Sequence, residues 1–152
     1  MIRYVSLPTE AVRAVQAGGT DAYGLVPERR VSDGGSPCRH CLKMIEEGRE
    51  MLVLAWRPFP ALQPYAETGP IFLCAEACAA GGGEEMPVIL ASPDYILRGY
   101  GADDRIVYGT GAVVPTARLR DEAEARLADA RVAYLHVRSA RNNCYQLRID
   151  RG

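Results

Sequence analysis

Four of the five cysteines are spaced so that they can meet a single metal ion. Cys38 and Cys41 form a C-x2-C pair, a spacing that lets two thiolates from one tight turn bind the same tetrahedral ion. Cys74 and Cys78, with three residues between them, can supply the opposite edge. The spacing predicts a zinc site of Cys38, Cys41, Cys74 and Cys78, with His40 as a substitute ligand. Four protein ligands close the ion to substrate, so such a zinc is structural rather than catalytic. The same residues also admit unligated thiols packed as small hydrophobes, or disulfides, which need an oxidising compartment. Met1 to Gly19 contains no apolar core of signal-peptide length, which ranks disulfides last and sets the expectation of a cytoplasmic protein.

A second constellation lies near the C-terminus. Ala133, Leu135 and Val137 alternate with polar or larger residues, as do Tyr145, Leu147 and Ile149 beyond a turn at Ser139 to Asn143. Pairing Arg138 with Cys144 makes one face of this hairpin wholly apolar and places His136 opposite Gln146. The other face then gathers His136, Arg138, Cys144 and Gln146. There Arg138 could lower the thiol pKa of Cys144, and His136 could serve as acid or base, the parts of a small thiol-dependent enzyme. A strand face turned to solvent produces the same alternation. A third constellation, Trp56, Arg57, Phe59, Tyr65 and Glu67, forms a proline-bounded aromatic rim suited to binding a small molecule or a protein, and equally suited to core and loop packing.

The elements that must position these groups follow from periodicity. Tyr4 to Leu7 reads as a short strand, and Glu10 to Ala17 as a helix with Ala11, Val12 and Val15 on one face, ended by Gly18 and Gly19. Asp33 to Pro37 is a turn that delivers the first cysteine pair. Met51 to Trp56 has the length and continuous apolarity of a strand buried on both faces, and Ile71 to Cys74 is a strand whose end carries Cys74. Gly81 to Gly83 lack the lysine and Ser/Thr pattern of a phosphate loop and read as a mobile surface loop. Tyr95 to Tyr100 and Arg105 to Val114 read as strands around the turn Gly101 to Asp104. Arg118 to about Asp129 has helical spacing, with Glu122 four residues before Arg126. Strands and helices do not alternate regularly. The expected fold is α+β, one domain over residues 1–152, with a mainly antiparallel sheet, two or three helices packed on it and a terminal β-hairpin.

Composition narrows the function classes. With 48% hydrophobic and 24% charged residues, the chain has the balance of a globular protein. A net charge of -1 offers no basic excess for a phosphate backbone, which argues against nucleic acid as a partner. The longest apolar run, Met51 to Trp56, is too short to cross a bilayer as a helix, which argues against a membrane span. The remaining partners are an unidentified small molecule or protein.

The segments Pro37 to Leu42, Pro64 to Leu73 and Tyr134 to Arg138, together with Cys144-Tyr145 and Asp150-Arg151, resemble an uncharacterised bacterial family, domain of unknown function 1203. The resemblance spans most of the chain and implies a stand-alone bacterial protein of about this length, with no established activity to transfer. In the family's pattern histidine often stands at the position of Cys74, a replacement that keeps zinc chemistry. Some members lack the counterpart of Cys41, which confines a four-thiolate site to a branch of the family. A second histidine often stands at the position of Arg138.

Overall fold

A computed structural model describes residues 1–152. The first half of the chain forms β1 (Ile2–Val5), α1 (Thr9–Gln16), β2 (Glu28–Val31), β3 (Ser36–Pro37), β4 (Met44–Ile45), β5 (Glu50–Trp56) and β6 (Gly69–Cys74). The second half forms β7 (Gly82–Gly83), β8 (Asp94–Tyr100), β9 (Ala112–Pro115), a 3-10 turn (Thr116–Arg118), α2 (Leu119–Leu127), β10 (Tyr134–Ser139) and β11 (Tyr145–Arg151). Six strands join in the order β7-β1-β11-β10-β8-β9, three in the order β2-β5-β6, and β3 pairs with β4 alone. Every ladder is antiparallel. This is the expected α+β arrangement, with two α-helices and a larger share of strand than of helix. Neither helix is long and apolar enough to cross a membrane.

The six-stranded sheet buries one face under α2. Leu97, Leu135, Val137, Leu147 and Ile149 pack there against Leu119, Ala123 and Leu127 of the helix, whose spacing of four places them on one side. Glu122 and Arg126, one turn apart, close an ion pair of 2.7 Å beside that stripe. The three-stranded sheet makes a second core. Leu52 and Leu54 of β5 lie opposite Leu73 and Ile71 of β6 and pack with Val12 and Val15 of α1. Tyr145 of β11 joins this second core and so links the two sheets.

Three local expectations are corrected. In the hairpin, Leu135 pairs with Ile149, His136 with Arg148 and Val137 with Leu147, whereas Arg138 pairs with Tyr145 across a bulge. The interior pairs are thus offset by two residues from the register based on Arg138 opposite Cys144. An even offset preserves which side chains face the core, and the bulge turns Tyr145 onto the face of His136. The predicted strand from Arg105 begins only at Ala112, because Thr110 takes over the ladder's role: its Oγ1 accepts the Gly99 N–H at 2.9 Å and donates to the Val107 carbonyl at 2.6 Å. Finally, the glycine run is no free loop. Gly83 and Gly82 pair with Tyr4 and Val5, and Gly81 donates its N–H to the His40 carbonyl at 2.8 Å.

Glycine is required where these backbones meet. At Gly82, with φ +108°, a Cβ would lie 2.4 Å from the Tyr4 carbonyl oxygen. We expect Gly82→Ala to lower the unfolding free energy by about 1–3 kcal/mol. Gly69→Ala, whose Cβ would point into open space, should change it by less than about 0.5 kcal/mol. Urea unfolding of the two variants checks the difference.

Candidate metal centre

The short β3–β4 pairing holds Cys38 to Lys43 as a tight knuckle. Within it, the Leu42 N–H donates to the Cys38 carbonyl and the Cys38 N–H to the Lys43 carbonyl, both at 3.0 Å, with Leu42 at φ 58°. The knuckle is fastened to the end of β6 by a parallel bridge between Cys38 and Phe72 and by the Arg39 N–H donating to the Phe72 carbonyl at 3.1 Å. That attachment brings Cys38 and Cys41 to Cys74. Cys78 closes the group from the following loop.

The four sulfurs all lie within 4.8 Å of one another and could hold a metal ion. Cys38 Sγ is 3.9 Å from Cys78 Sγ, and Cys41 Sγ is 3.9 Å from Cys74 Sγ. These separations are nearly twice a disulfide bond, and all five cysteines are free. The Cys74 N–H donates to Cys38 Sγ at 3.3 Å. Hydrogen bonds from the Cys41 and Cys74 thiols draw Cys38 far below the ordinary thiol range. The same bonds push Cys41 and Cys74 upward, and burial pushes Cys78 up to about 12. Without a cation, the cluster concentrates its first negative charge on Cys38 and resists the others.

His40 stands beside the cluster, outside the four sulfurs that lie within 4.8 Å of one another. Its ring is buried, with Nδ1 3.2 Å from Cys78 Sγ and Nε2 2.8 Å from Thr9 Oγ1. Burial, followed by the charge of Arg13, lowers its pKa and keeps it neutral. The direction of both bonds depends on the ring tautomer: a Cys78 thiolate can only accept, which would put the ring proton on Nδ1 and make Thr9 the donor to Nε2. Two further residues of α1 hold the backbone of the second pair. Arg13 Nη2 donates to the Cys78 carbonyl at 2.6 Å, and Gln16 Nε2 donates to the Cys74 and Glu76 carbonyls, each at 2.9 Å. Thr9, Arg13 and Gln16 stand at i, i+4 and i+7, one face of the helix. These three residues flank the apolar stripe of Val12 and Val15, and nothing in the sequence tied them to the cysteines. Arg39, also buried, extends the grip by donating to the Tyr145 carbonyl and the Pro37 carbonyl, both at 2.7 Å.

The hairpin residues are distributed differently from the flat polar face that alternation suggests. His136 and Arg138 are buried. Arg138 donates through Nε to Asn143 Oδ1 at 2.8 Å and lies 3.5 Å from Glu67 Oε2. Cys144 is half-buried, its Sγ 3.7 Å from the Asn142 carbonyl oxygen, and it hydrogen-bonds to neither His136 nor Arg138. Gln146 is buried and donates to the Cys144 carbonyl at 3.1 Å. Of the aromatic rim, Trp56, Arg57 and Phe59 share a cavity with His136. Tyr65 instead meets Tyr108 at the surface, and Glu67 binds Arg98 and Tyr100.

The rings of Phe59, Tyr100, Tyr134 and Tyr145 surround His136 at centroid distances of 5.1, 4.8, 5.1 and 4.8 Å. Arg98 and Arg148 stand opposite it on the neighbouring strands. Burial first, and then the charges of Arg138, Arg148 and Arg98, hold its pKa well below the usual histidine range.

The model of a family described as protein of unknown function (DUF1203) matches residues 35–151 of this chain. No curated protein and no solved structure matches it.

The environment of His136 fixes the sign of one pH effect. An unfolded chain binds a proton on this ring near its ordinary pKa of about 6.5, and the folded chain does not. Stability is therefore full above about pH 6.5 and falls below it by up to about 1.4 kcal/mol per pH unit for each such ring. His136→Phe should lose stability less steeply than the wild type between about pH 6.5 and 5, as measured by urea unfolding at each pH. Equal slopes would contradict this assignment.

Proposed function

The chain belongs to DUF1203, a family of unknown function, and from its own geometry we propose that it is a structural zinc protein in which Cys38, Cys41, Cys74 and Cys78 bind one zinc ion as thiolates. The observation that carries this reading is the spacing of the sulfurs. Zinc–sulfur bonds of about 2.3 Å in a tetrahedron require sulfur–sulfur edges of about 3.8 Å; two opposite edges here are 3.9 Å and none exceeds 4.8 Å.

Charge supports the same reading. Four thiolates around a divalent ion leave a net charge of about -2. Arg13 bonded to the Cys78 carbonyl and Arg39 in the knuckle supply two compensating positive charges beside them. The Cys74 N–H bonded to Cys38 Sγ and the His40 ring beside Cys78 Sγ stabilise thiolates, and such contacts to ligand atoms orient them and tune affinity. Because all four positions are filled by protein, the ion has no open site for a substrate. Its work is mechanical: it joins the knuckle to the end of β6 and, through Cys78 and His40, to α1.

Protein purified without added metal should carry about one zinc per chain by elemental analysis, and Cys41→Ser or Cys78→Ser should lose it. Chelation should lower the melting temperature of the wild type and leave those variants unchanged. Zinc-free protein whose thiols titrate freely would end the proposal. His40→Ala, which keeps all four ligands, should weaken zinc retention about 10–100-fold in competition with a chelator. Complete loss of the site would instead make His40 a ligand.

A further inference from the structure

A cavity of about 500 Å³ opens where the two sheets meet. Its walls come from four places that are distant in sequence: the approach to α1, the Trp56–Pro60 segment at the end of β5, Asp104 in the turn after β8, and the His136 face of the β10–β11 hairpin. Junctions of this kind, apolar with a few convergent polar groups, are where small ligands bind. No cysteine lines it, so the inference is independent of the zinc reading.

His136 is 1% exposed and lines this cavity, yet its ring makes no hydrogen bond, and Nδ1 is buried without a partner. A neutral imidazole always carries one N–H and one lone pair. Buried polar groups left unmatched are rare in native proteins, and each calls for a physical reason. The aromatic box encloses Nδ1, and Nε2, unpartnered but not fully enclosed, is the ring nitrogen that a molecule in the cavity can reach.

The charged groups on the wall are two carboxylates and two guanidiniums, and they differ in what already engages them. Asp150 already accepts from Arg148 Nε at 2.6 Å, and Asp104 already accepts from the Tyr134 hydroxyl at 2.8 Å. Arg148 is further held over the Tyr134 ring, 4.0 Å from its centroid. Arg57, by contrast, donates Nε to the Phe59 carbonyl at 3.2 Å and has no carboxylate partner. The Arg57 guanidinium is thus a cation on the wall with no ion-pair partner, while the anion without one, Asp104, is already engaged by a hydroxyl, and the His136 ring can add one N–H. Guanidinium is suited by geometry to a carboxylate, which it can hold with two parallel bonds. The faces of Trp56, Phe59 and Tyr145 are suited to a flat apolar body.

We propose that this cavity binds a small organic carboxylate with a flat apolar body, the carboxylate paired with Arg57, the body set against Trp56, Phe59 and Tyr145, and His136 hydrogen-bonded to the ligand.

Trp56 is the only tryptophan in the chain and also borders a neighbouring cavity beside Asp21, so its fluorescence is read together with the His136 resonances, and an emission change that leaves His136 unmoved would overturn the proposal. The probes are phenylacetate, its neutral isostere phenylacetamide, and the cation phenethylamine, each titrated into the full chain as purified at pH 7. Phenylacetate should change the Trp56 emission saturably, with half-saturation below about 10 mM. It should also move the imidazole nitrogen resonances of His136. The amide should bind at least about tenfold more weakly, and the amine more weakly still. Arg57→Gln should weaken phenylacetate at least about tenfold and leave the amide unchanged. If that variant does not fold, the comparison of the three probes on the wild type decides. No saturable response to phenylacetate, equal binding of the amide, stronger binding of the amine, or an unaltered folded Arg57→Gln would each overturn the proposal.

Discussion

Four thiols within 4.8 Å of one another cannot all ionise unless a cation stands among them, because each new thiolate raises the cost of the next. The cluster expresses that conflict directly, with Cys38 pulled strongly toward the thiolate and its three neighbours pushed away from it. Much else is organised around the point where they meet. The knuckle between β3 and β4 is turned so that Cys38 and Cys41 face the end of β6. Gly81 packs where a Cβ would lie 2.2 Å from the Cys41 carbonyl oxygen, so the loop carrying Cys78 closes tightly over the knuckle. Helix α1 offers its polar face to this loop and its apolar face to the second core. Arg39 carries the connection to β11. The matched family span starts after β1, α1 and β2, so part of this support comes from outside it.

The cysteine pairs were legible in the sequence because ligand spacing within a turn is a local property. Two residues between Cys38 and Cys41 already determine that their sulfurs can share a neighbour. The role of His40 was not legible. Position alone makes it a candidate ligand, and only the placement of Thr9, 31 residues away, shows its ring bridging a hydroxyl and Cys78. The glycine run shows the same limit. Its composition resembles that of a loop, but its conformation is fixed by the close approach of Tyr4 and Cys41, which are remote in the chain.

The C-terminal hairpin divides along the same line. Alternation identified both strands and the apolar face of Leu135, Val137, Leu147 and Ile149, since parity survives an even shift of register. The bulge beside Arg138 lies outside that pattern and moves Tyr145 to the opposite face. That face is polar by composition and yet largely buried, because Phe59 from a distant loop, together with Tyr100 and Tyr134, packs around His136. Solvent and a second layer of protein leave the same imprint on one strand. They can be told apart only when the covering segment is known.

Whether the four sulfurs act as one coordination shell is tested most directly by X-ray absorption at the zinc edge on protein purified without added metal. The prediction is zinc with four sulfur neighbours at about 2.3 Å and no nitrogen neighbour. Absence of zinc, iron in its place, or a nitrogen shell at about 2.0–2.1 Å would contradict it.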